Sequence, residues 1–183
     1  MASRTVPAPL AQLPNALTVL RLALIPVFIA VYVSAGDGSS WAAGWIFLVA
    51  GVTDQVDGFL ARRWHVESTF GRLADPLADR LMIDAAAILV ALEGKLPWAG
   101  AVIIVLRDAL LVGGYRLLMP RGYELNVTTL GKLATWLLYL AVGILTVTGK
   151  ATDWPRWLFW FALALALAAA AQYVIKARRE VAA

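Results

Sequence analysis

The chain has 183 residues, of which 61% are apolar and only 15% charged, and its mean hydropathy is +0.75. A soluble domain is about half apolar and about a quarter charged, so a membrane domain is expected and a large soluble one excluded. Cysteine is absent, which rules out disulfide and thiolate–metal chemistry. The net charge of +4 fits anionic headgroups and equally fits ordinary topology charge. A lipid bilayer is the expected environment and no nucleic-acid partner is expected.

In chain order, residues 1–15 carry three prolines and read as a juxtamembrane segment. Residues 22–33, LALIPVFIAVYV, have the length of a signal-peptide core. Arg21 at their edge and the proline-containing lead instead predict a first span that is retained. Crossing a bilayer takes about 20 apolar residues. Six stretches qualify: 16–34, 41–60, 76–93, 97–117, 130–148 and 155–175. Between them lie GDGSS (36–40), ARRWHVESTFGR (61–72), EGKLP (93–97), MPRGYELNVTT (119–129) and GKATDWP (149–155), most of them rich in turn residues. Connections this short predict an all-α integral membrane fold: six transmembrane helices in a compact antiparallel bundle, one domain over 1–183. Arg4, Arg62, Arg63, Arg72, Arg116, Arg121, Lys176, Arg178 and Arg179 fall on one side, and only Lys95, Lys150 and Arg156 on the other. The excess of positive charge places both termini in the cytoplasm, with the 61–72 loop.

The stretch between the second and third spans, DQVDGFLARRWHVESTFGRLADPLAD, carries two aspartate pairs, Asp54 with Asp57 and Asp75 with Asp79. Spacings of three and four put each pair on one helix face. A hairpin of the two spans brings the pairs to similar depth. Four converging carboxylates repel one another unless protonated or bridged by cations, and hard divalent ions such as Mg²⁺ or Mn²⁺ favour carboxylate oxygens. Four carboxylates suffice for two such ions, the arrangement used in phosphoryl-type chemistry. Gly58 and Gly71 leave room for a group to approach the backbone, and Arg62, one turn from Gly58, suits a phosphate. The alternative is a set of interfacial charges paired with Arg62, Arg63, Arg72 and Arg80, with Asp75-Pro76 as a helix start.

Read as Asp54-x2-Asp57-Gly58-x2-Ala61-Arg62-x8-Gly71-x3-Asp75-x3-Asp79, the stretch resembles the full signature of the CDP-alcohol phosphotransferases. The chain's size and six spans are also similar to that family. The resemblance implies transfer of a phosphatidyl or related group from a CDP-linked donor to an alcohol, with release of CMP. It implies two Mg²⁺ or Mn²⁺ ions held by Asp54, Asp57, Asp75 and Asp79. It places Asp57, Gly58, Ala61, Arg62 and Gly71 at the CDP site and makes Asp79 the general base on the acceptor hydroxyl. Pro14-Asn15-Ala16-Leu17-Thr18-Val19-Leu20-Arg21 resembles the family's opening motif, which adds Asn15 and Thr18 to the nucleotide site and Arg21 as nearby positive charge; alone, Asn15 is a plausible helix cap. A homodimer is usual in the family, and the small-residue run 163–172 is a candidate face.

Arg107, Arg116, Arg121 and Lys132 are the candidate acceptor-binding cations, with Arg107 and Lys132 inside apolar runs. The plain alternative for Arg107 is an ion pair with Asp108. Among family branches the acidic-phospholipid synthases look closest. Phosphatidylglycerophosphate synthases typically show Arg-Glu, a second Arg eight residues on, and Gly-Lys-x-Lys-Thr. Here Asp108 stands in place of Glu, Arg116 is nine residues on, and Gly131-Lys132-Leu133-Ala134-Thr135 lacks the second lysine. Arg107-Asp108 together with residues 121–142 is similar to cardiolipin synthases of the CDP-alcohol type. The expected substrates are therefore CDP-diacylglycerol and a glycerol-type acceptor, phosphatidylglycerol first and sn-glycerol 3-phosphate second. A cation-coupled transporter is the alternative of another class, disfavoured by the lack of an inverted repeat. His65 reads as a loop residue, Asp84 as the intrahelical partner of Arg80, and Trp41, Trp45, Trp98, Trp154, Trp157 and Trp160 as an interfacial belt.

Overall fold

The computed structural model describes the backbone of residues 13–36, 38–64, 69–118 and 129–181, and the side chains of 16–36, 38–53, 80–113 and 129–172. Six helices fill these residues: α1 (Leu13–Ser34), α2 (Trp41–Trp64), α3 (Thr69–Leu92), α4 (Trp98–Leu118), α5 (Thr129–Val147) and α6 (Trp154–Val181). No strand occurs among the described residues. The elements follow the predicted spans closely except at α3. That helix begins at Thr69 and passes through Pro76, where a start near Asp75-Pro76 was expected. Within a bundle, neighbouring helices and local adjustment compensate for the N–H that proline lacks, so Pro76 does not end the helix. The predicted 61–72 loop is thereby reduced to 65–68, which lies outside the described residues together with His65.

Local chemistry sets the turns. Ser40 caps α2, its Oγ accepting from the Ala43 N–H at 3.1 Å. The C-terminus of α3 is a Schellman motif: Lys95 N–H donates to Val90 O at 3.1 Å and Gly94 N–H to Ala91 O at 2.9 Å. Gly94 occupies the left-handed position with φ 72°.

Contacts at one end fix the topology. Tyr32 Oη donates to Gly38 O at 2.8 Å, Ser40 N–H to Thr146 O at 2.9 Å, and Arg156 Nε to Lys95 O at 2.7 Å. Lys95 Nζ donates to Leu145 O at 2.8 Å and Thr148 O at 2.5 Å, and sits 5.7 Å from the Tyr32 ring centre. The ends of α1, α3 and α5 thus meet the starts of α2, α4 and α6. Successive helices alternate in direction, and the other six helix ends gather at the opposite end of the bundle. Lys95, counted in the sequence only as a topology charge, is 1% exposed. It serves the last carbonyls of α5, which have no partner within their own helix.

α3 is central, packing against α1, α2, α4 and α5, while α5 and α6 form the most extensive pair. An aromatic run crosses the interior from α1 to α5: Phe28 lies 5.8 Å from Phe47, and Phe47 4.9 Å from Tyr139, between ring centres. Gly51 allows α2 to approach there, since a Cβ at this position would stand 2.9 Å from Tyr139 Cε1. Ala166 and Ala169 of α6 are buried inside the bundle, so these small residues of the candidate dimer run are used within the chain.

The outside is apolar as well. Leu106, Leu110, Leu140, Phe161 and Val33 are all more than half exposed. α1 from Ala16, α5, and α6 to Gln172 are long and apolar enough to cross a membrane. Trp41, Trp45, Trp98, Trp154 and Trp157 are exposed in the first turns of α2, α4 and α6, all at the Lys95 end. Trp160, expected in the same belt, instead turns partly inward and meets the Phe159 ring edge-on.

Candidate active site

α1 presents a stripe of residues to the interior along its length: Thr18 and Arg21 toward the opposite end, then Phe28 and Tyr32, are buried, with Ile25 partly so. These spacings of three, four and seven mark one helix face. Thr18 and Arg21 are both 0% exposed, although α1 is otherwise almost wholly apolar. A guanidinium withdrawn from water requires counter-charge within the protein.

Helix register gives the depth of the aspartates relative to Arg21. A helix rises about 1.5 Å per residue. Asp54 precedes the end of α2 by ten residues and Asp79 follows the start of α3 by ten, which puts each ~15 Å from its helix end. Asp57 and Asp75 lie seven and six residues in, each ~10 Å from its end. Arg21 is eight residues from the start of α1, between the two levels. α1 packs on both α2 and α3, and α2 runs opposite to α3. The topology thus brings the two aspartate pairs to matching depths beside the helix that buries Thr18 and Arg21. The side chains of Asp54, Asp57, Gly58, Ala61 and Arg62 on α2, Gly71, Asp75 and Asp79 on α3, Arg116 on α4 and Asn15 on α1 lie outside the described ones, as does Arg121 altogether.

A second set of buried charges spans α3 and α4. Asp108 Oδ1 accepts from Arg80 Nη1 and from Arg107 Nη1, each at 2.6 Å. Arg107 is 7% exposed and Asp108 2%. The expected Arg80–Asp84 pair is replaced by this link across the helices: α4 brings a more buried carboxylate within reach, and Arg80 turns to it. Arg107 does form the ion pair with Asp108 that was the plain alternative. Lys132, expected within an apolar run, is exposed in the first turn of α5. Sequence reasoning missed Asp108 and Asp84 as site candidates, because neighbouring opposite charges in one span read as self-contained pairs.

Residues 11–168 match a family described as CDP-alcohol phosphatidyltransferase. The chain belongs to the CDP-alcohol phosphatidyltransferase family. A Mycobacterium tuberculosis protein whose name includes cardiolipin synthase is 43% identical over 124 residues, covering 67% of this chain and 58% of that relative. The chain thus spans less than two thirds of that relative's length. A second Mycobacterium tuberculosis protein, whose name includes phosphatidylglycerophosphate synthase, is 34% identical over 95% of this chain and 85% of its own length. A Streptomyces coelicolor protein named cardiolipin synthase (CMP-forming) is 33% identical over 92% of this chain and 84% of its own length. The matched region takes in α1 to α5 and the first half of α6, with all four aspartates.

Proposed function

We infer that the chain transfers a phosphatidyl group from CDP-diacylglycerol to a glycerol-type alcohol, releasing CMP, in acidic phospholipid synthesis. It acts as a six-span protein of the cytoplasmic membrane, with both termini and the active site on the cytoplasmic face. The family resemblance extends this reading to a homodimer. The observation that carries the assignment is the complete burial of Thr18 and Arg21 at the depth of the four aspartates. An apolar exterior with tryptophans exposed at the other end supports the membrane setting.

The donor set fits a pair of hard divalent cations: four carboxylates in two depth-matched pairs, on adjacent helices, in a chain without thiols. Asp54, Asp57, Asp75 and Asp79 would hold Mg²⁺ or Mn²⁺. When bound, these ions supply neutralising charge to the pyrophosphate and to the departing CMP. Asn15, Thr18, Asp57, Gly58, Ala61, Arg62 and Gly71 bind the CDP moiety. Arg62 and the buried Arg21 offset its negative charge, and the glycines leave space at the backbone. Asp79 accepts the proton of the acceptor hydroxyl as that oxygen bonds to the phosphorus carrying the diacylglycerol. The anhydride bond to CMP breaks in the same displacement.

Phosphatidylglycerol is the leading acceptor and sn-glycerol 3-phosphate the second. Relatives of nearly equal identity carry the two corresponding names. The deciding experiment incubates purified protein with CDP-diacylglycerol, Mg²⁺ and each acceptor separately, reading CMP and lipid product. Asp79→Asn should retain CDP binding and lose at least ~100-fold in turnover. Turnover by Asp79→Asn at the wild-type rate would refute its role as base, and no CMP with either alcohol would refute the function.

A further inference from the structure

The ion pairs between α3 and α4 leave a residue of unmet hydrogen bonding. Asp108 uses Oδ1 for both arginines, while its Oδ2 is buried without a hydrogen-bond partner. Asp84 Oδ1 and Arg107 Nε are buried and unpartnered as well. Asp84 lies within electrostatic range of Asp108, Arg80 and Arg107. Buried polar atoms are rarely left unpaired, and in a mixed cluster they point to a polar ligand. The inventory is two acceptors and one donor.

Asp108 lies level with Asp79, and Asp84 stands five residues, ~7.5 Å, deeper along α3. Asp108 precedes the end of α4 by ten residues, as Asp79 follows the start of α3 by ten. Both stand ~15 Å from the same end of the bundle. Arg80 is the residue next to Asp79.

We propose that Asp84, Arg107 and Asp108 form a polyol subsite that selects a hydroxyl-bearing acceptor without a free phosphate, with Asp108 as its specificity-determining residue. A hydroxyl both donates and accepts. Two neighbouring hydroxyls donate to Asp84 Oδ1 and Asp108 Oδ2, and one accepts from Arg107 Nε–H. A phosphate monoester supplies mainly acceptors and would bring its charge against two carboxylates. Asp108 meanwhile engages Arg80 and Arg107 as ion-pair partners, so neither is a free cation for an anionic acceptor. The glycerol headgroup of phosphatidylglycerol fits; glycerol 3-phosphate does not. The proposal rests on the phosphatidyl transfer inferred above.

The test compares kcat/KM for phosphatidylglycerol and glycerol 3-phosphate in wild type, Asp108→Asn and Asp84→Asn, with CDP-diacylglycerol saturating. Wild type should prefer phosphatidylglycerol. Asp108→Asn should shift the ratio at least tenfold toward glycerol 3-phosphate, through the KM values of the two acceptors. Asp84→Asn, at a half-buried position outside the Asp108 ion pairs, should move the ratio in the same direction, and carries the test if Asp108→Asn does not fold. An active wild type whose ratio stays within threefold in the folded variants would overturn the subsite, as buried water alone would then account for the unpaired atoms. A wild type that uses only glycerol 3-phosphate would also overturn it while leaving the transfer intact. A wild type inactive with both alcohols would refute the underlying function itself.

Discussion

Replacing Lys95 with methionine tests whether the end of the bundle remote from the aspartates is held by a buried cation. Methionine keeps the length and apolar stem of the side chain, so packing at this 1% exposed site is largely preserved. What is lost is specific: hydrogen bonds to Leu145 O and Thr148 O, and the ammonium over the Tyr32 ring. A hydrogen bond to a charged group is worth about 1.5–3 kcal/mol net, so two give at least ~3 kcal/mol even at the low end. Desolvating the ammonium opposes this, but that cost is offset by two carbonyls that otherwise end α5 without partners. For a chain of this size ~3 kcal/mol corresponds to roughly 6–12 °C in melting temperature. The measurement is a tryptophan-fluorescence melt in detergent, with Lys95→Arg as a charge-retaining control that recovers part of the loss. A melting temperature for Lys95→Met within ~2 °C of wild type would refute the reasoning. A higher one would show that the buried charge costs more than its bonds return.

The other predictions follow from single contacts. Gly94→Ala forces a Cβ onto a residue at φ 72°, with nothing within 4 Å of that atom, so backbone strain alone should lower the melting temperature by ~2–8 °C. Gly51→Ala should cost about 1–3 kcal/mol, because its Cβ meets the Tyr139 ring; an unchanged melt would show that the ring moves aside freely. Arg21→Leu should abolish CDP binding, measured by equilibrium titration, while the folded bundle survives, since leucine suits an apolar interior. Chelation with EDTA should stop CMP release, and added Mg²⁺ or Mn²⁺ should restore it; activity unaffected by chelation would refute the metal reading.

The helices were legible because each apolar run is bounded by strong turn chemistry: Gly36 to Ser40, Gly94 to Pro97, Gly149 to Pro155. The start of α3 was misread because Asp75-Pro76 has the local form of a helix start, whereas tertiary packing carries the helix through the proline. The aspartate register was legible since spacings of three and four survive any small shift in helix bounds. The role of Lys95 was not legible for a different reason. Its position in a turn suggests solvent, and only the meeting of three helix ends supplies the carbonyls that bury it. Asp84 and Asp108 illustrate the same limit. Spacing within each helix made Arg80 look like the partner of Asp84 and Arg107 the only partner of Asp108, whereas Arg80 crosses to Asp108 on the facing helix.

The two ends of the bundle solve opposite problems with the same material. At the Lys95 end, buried polar groups close on one another: ammonium on carbonyls, a serine cap on α2, a tyrosine hydroxyl on the next turn. That end ties six helix termini together. Arg21 toward the other end, and Asp108 and Arg107 midway along α4, are as deeply buried, yet the α3–α4 cluster leaves atoms on both its carboxylates and on Arg107 unpaired. A helix bundle of this kind tolerates such atoms only where something else completes them. The rigidity gained at the closed end is what allows the charges at the reactive end to be held ready for donor and acceptor, rather than collapsing onto one another.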